Sequence, residues 1–119
     1  MGYKTEDKEN TALRNIIQTE MQMYNSLYKK IDGADGETAG DNLIVVDIYT
    51  ALNTAELFTE KINLEKIQNM ELGSLFTEHE DIKYFTIIKG KCRGIIICEI
   101  ERLRKEIMRI EETEQDMTV

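Results

Sequence analysis

The chain has 119 residues, a net charge of −8, 41% hydrophobic and 32% charged residues, no proline and no tryptophan. That length is enough to bury a core without metals or disulfides, and the balance argues against a disordered or disulfide-stapled protein and for a helical one. The N-terminal stretch MGYKTEDKENTALRN has no apolar signal segment, and the apolar run Gly94 to Cys98 is far short of the ~20 residues that span a bilayer, so the expectation is a cytoplasmic protein with reduced thiols and no membrane contact.

In chain order, Leu13, Ile16, Ile17, Met21, Tyr24, Leu27, Tyr28 and Ile31 recur at three and four, which predicts an amphipathic helix from Thr5 to Ile31. Thr5 is its expected cap and Asp32-Gly33 its stop. The stretch DGADGETAGD, residues 32 to 41, reads as a flexible acidic loop. It does not fit a calcium-binding loop: with Gly36 at the invariant glycine, the three preceding ligand positions fall on Ile31, Gly33 and Asp35, of which only the last offers a side-chain oxygen.

Asp41 or Asn42 is the expected cap of a second helix with its stripe at Val45, Ile48, Leu52, Ala55, Phe58 and Ile62. Its start, LIVVDIY, is rich in β-branched residues, yet the stripe continues for several turns and favours helix over strand. A short helix is expected from Leu64 to Leu72, ending at Gly73. Thr77 and Glu80 then have capping-box spacing, which places a long last helix at about 78 to 112 and a frayed acidic tail at 113 to 119.

That last helix contains FTIIKGKCRGIIICEIERL, residues 85 to 103. A period of 3.6 from Phe85 meets Ile88, Cys92, Ile96, Ile100, Leu103, Ile107 and Ile110, so helix is preferred over a hairpin turning at KGKCRG, whose arms do not alternate. Gly90, Gly94 and Cys98 repeat at four on the opposite side, flanked by Ile87 and Ile97. Two interior glycines cost a helix ~2 kcal/mol relative to alanine, and small residues spaced by four admit close backbone approach. The helix is therefore expected to be apolar on two faces, one meeting the first two helices and the other packing against a further helix, preferably that of a second copy in a homodimer.

The chemistry is sparse. Cys92 and Cys98, six apart on a helix, cannot bridge one another and match no zinc or thioredoxin spacing, so both read as small buried hydrophobes. GKCRG lacks the spacing of a phosphate loop, and Glu56 with Glu60 lacks the histidine partners of a di-iron bundle. The stretch HEDIKYFTIIKG resembles the phosphoacceptor helix of sporulation phosphotransferases and related histidine kinases over about a dozen residues; the resemblance implies phosphotransfer through His79.

Residues 83 to 109 carry eight basic side chains against three acidic ones, a local +5 that leaves −13 on the rest. Lys89, Lys91 and Arg93 lie on the seams between the two apolar faces, where long stems pack and charged heads reach an acidic partner or phosphates. Glu101 with Lys105 and Arg102 with Glu106 have the spacing of surface ion pairs. The sequence thus points to a small all-α bundle of three long helices and one short one, with no catalytic, cofactor or metal site. Its expected role is a non-catalytic regulatory, inhibitory or adaptor protein of antitoxin, immunity or anti-defence type, its acidic surface set against a basic protein partner. A nucleic-acid regulator using the basic segment is the first alternative, and phosphotransfer through His79 the second.

Overall fold

The computed structural model describes residues 2–35, 38–59 and 79–118, and these are all-helical. Helix α1 runs Gly2–Gly33, α2 runs Ala39–Thr54 and α3 runs His79–Thr118. The expected short helix 64–72, its stop at Gly73 and the cap at Thr77 lie outside the described residues.

Contacts near the C-terminal end of α1 fall on the early turns of α3, while Tyr24 further back on α1 feels Glu99 and Arg102 further along α3. The two long helices therefore run antiparallel, and α2 packs against both at the end where α1 finishes. The result is a three-helix head joined to a two-helix stem, with principal extents of 64 × 24 × 17 Å.

The seam of the stem follows a heptad. On α1 the buried residues Ile17, Tyr24 and Ile31 are seven apart, with the half-buried Met21 and Tyr28 filling the alternate positions. On α3 every position of the expected stripe is buried or half-buried: Phe85, Ile88, Cys92, Ile96, Ile100, Leu103, Ile107 and Ile110. Each fully buried isoleucine or leucine of this seam contributes roughly 1.5–3 kcal/mol. The narrow α1 seam corrects the broad apolar stripe expected there. Leu13 and Ile16 are 47% and 58% exposed, because a two-helix contact covers only a and d positions and leaves flanking apolar residues in solvent.

Helix boundaries move for local reasons. Helix α1 begins at Gly2, so Thr5 lies inside it and does not cap it. Thr38, with extended φ −125° and ψ 154°, caps α2 and accepts from the Asp41 amide at 3.1 Å; neither Asp41 nor Asn42 is the cap. Asp41 instead accepts from the Asp35 amide at 3.2 Å, tying back the chain that leaves α1. Part of the expected acidic loop is thus already helix or cap.

Helix α2 stops at Thr54, well short of the expected Ile62. The Leu57 amide donates to the Leu52 carbonyl at 3.2 Å and the Glu56 amide to Asn53 at 3.0 Å, the paired bonds of a Schellman motif. Glu56 occupies the left-handed position, φ 58°, usually held by glycine. Ala55 is consequently exposed, whereas Phe58 swings back onto Tyr49, ring centroids 4.9 Å apart at 52°. At the other end of the chain, α3 continues to Thr118, so the backbone of the tail is helical where fraying was expected.

Candidate interaction surface

The basic cluster of α3 is partly consumed inside the chain. Lys89 Nζ donates to the Ala34 carbonyl at 2.7 Å and the Asp32 carbonyl at 3.2 Å, and Arg93 pairs with the Asp32 carboxylate at 3.0 Å. Helix C-termini leave carbonyls without intrahelical donors and carry partial negative charge. The two cations from α3 satisfy both needs at the end of α1 and fix the head of the bundle. Further along, Arg102 bridges Glu99 at 2.8 Å and Glu106 at 3.0 Å, and these carboxylates raise the basicity of its guanidinium. The expected Arg102–Glu106 pair is present; Glu101 is paired with Arg104 at 3.4 Å instead of Lys105.

Opposite the seam, the described residues leave the second face of α3 open. Ile87 and Ile97 are 43% and 47% exposed, and Gly90, Gly94 and Cys98 are exposed beside them. A Cβ built on Gly90 or Gly94 meets no atom within 4 Å. The expected close approach of another helix at these glycines is therefore not made by any described residue. Met108, 53% exposed, extends the same strip toward the tail. Periodicity alone singled out the glycines but missed Met108, because it lies past the apolar run that drew attention to the strip.

Between the two faces lies a groove of about 430 Å³, walled by Leu57 and Phe58 after α2 and by Lys91, Gly94, Cys98 and Glu99 of α3. Lys91 lines this groove and is half-buried. The two thiols differ sharply: Cys92 is buried in the core, which pushes its pKa up to about 12, whereas Cys98 is exposed. The expectation that both are buried fails for Cys98, which lines the groove and stays exposed.

His79 opens α3, and its side chain lies outside the described residues. Among the described residues no helix is long and apolar enough to cross a membrane. No protein-family model, curated protein or solved structure matches the chain.

Proposed function

We propose that this is a non-catalytic regulatory, inhibitory or adaptor protein that works by protein–protein contact and self-associates through the open face of α3. The observation that carries the reading is the strip of Ile87, Gly90, Gly94, Ile97 and Cys98, apolar and small, yet exposed among the described residues. Exposed apolar patches of this kind mark association surfaces. The two glycines are helix-interior residues with open space above them, so packing within the described chain does not require them.

The −13 charge outside the basic segment suits a basic partner and speeds encounter with it. Nucleic-acid contact gains no support, because Lys89 and Arg93 are engaged with the end of α1, and Arg102 and Arg104 with glutamates.

Alanine at both glycines provides a test that loss of folding does not confound. Gly90→Ala with Gly94→Ala should raise the stability of the monomer, since alanine is about 1 kcal/mol better per site in a helix interior and meets no obstacle here. Leucine at both sites should keep the helicity and weaken self-association at least tenfold, read by sedimentation velocity. A wild-type chain that stays monomeric at all soluble concentrations, or leucine variants that associate unchanged, would remove the reading.

A further inference from the structure

Resting on the reading that α3 self-associates, we infer that the second copy lies antiparallel along α3, with the two-fold axis passing between Ile97 and Cys98. At 100° per residue, the exposed side chains Lys83, Ile87, Ile97, Cys98, Met108 and Glu112 fall, together with Gly90 and Gly94 and with the exposed Glu101 and Lys105, within ~50° of one line along the helix. A two-fold axis makes a contact isologous, so each residue on one copy must suit a different residue on the other.

Centred between Ile97 and Cys98, the antiparallel arrangement sets Lys83 against Glu112 of the second copy and Ile87 against Met108 of the second copy. Each pairing occurs twice by symmetry. Ile97 meets Cys98 at the centre, so apolar groups cover apolar groups and the outer charges are opposite in sign. The glycines acquire a role in the same register. Lys105 of the second copy lies over Gly90 and Glu101 of the second copy over Gly94, long stems crossing positions where a Cβ meets nothing. A parallel arrangement instead stacks like on like, Lys83 on Lys83 and Glu112 on Glu112, with no compensating pairs.

Charge reversal on the full chain reads the register directly. Lys83→Glu alone, and Glu112→Lys alone, should each raise the dimer dissociation constant roughly five- to tenfold by replacing attraction with repulsion. The two together should restore it to within about twofold of wild type. In a Cys98→Ser background, a mixture of Lys83→Cys and Glu112→Cys chains should form an interchain disulfide on mild oxidation, while Lys83→Cys chains alone should not. A dimer in which the double reversal fails to rescue, or in which Lys83→Cys links to itself, overturns the antiparallel register and leaves self-association standing. A monomeric wild type overturns both.

Discussion

Cys92 and Cys98 share one helix, six residues apart, and occupy opposite surroundings. Burial favours the neutral thiol of Cys92 and pushes its pKa from 9.0 up to about 12. A raised pKa in the folded state means that the native protein holds its proton where the unfolded chain has lost it. The Cys92 contribution is therefore complete below about pH 9 and is lost progressively as pH rises toward 12. Thiol labelling should modify Cys98 rapidly in the native protein and Cys92 only on unfolding, and alkaline unfolding should shift to higher pH in Cys92→Ala relative to its own stability at neutral pH. In the sequence, nothing but their rotation around the helix separates the two sites. Composition treats every cysteine as a small hydrophobe, and only its place on the face of α3 that the described residues leave exposed decides otherwise for Cys98. Glu56 shows the same limit: its left-handed backbone has no glycine to announce it, so the end of α2 was not legible in the residue types.

At the level of elements, the joint between α1 and α3 depends on Lys89. Its 2.7 Å bond to the part-buried Ala34 carbonyl is charge-assisted, whereas the Arg93–Asp32 pair is solvent-exposed and contributes at most about 1 kcal/mol. Lys89→Met, which keeps the stem and removes the donor, should cost about 1–2 kcal/mol in urea unfolding, and Arg93→Met less than half of that. A larger loss for Arg93 would reverse this ranking. Helix identity and the buried stripe of α3 were readable because eight apolar residues hold one period from Phe85 to Ile110. The joint itself was not, since it unites Asp32 and Ala34 with residues 55 to 61 positions later in the chain. Periodicity describes each helix separately and carries no information about which turn of one meets which turn of another.

For the whole molecule, the radius of gyration is 19.0 Å, against about 13.5 Å for a compact chain of this length. An all-α chain was legible from composition, but this elongation was not, because α3 outruns its expected end and only part of the α1 stripe is used. The head holds α2 against both long helices, with Tyr49, Leu52, Ile31 and Cys92 in its core; toward the far end of the stem, beyond Ile17 and Leu103, no described hydrophobic residue is fully buried. Backbone amide exchange should therefore be graded, slowest in the head around residues 24–31 and 85–96 and faster by orders of magnitude over 8–14 and 107–113. Uniform protection along both helices would contradict that gradient. The consequence lies in information rather than stability. A partner that grips the far stem closes its local opening equilibrium, so its affinity is adjustable by substitutions at Asn10 or Arg14 that leave the head intact.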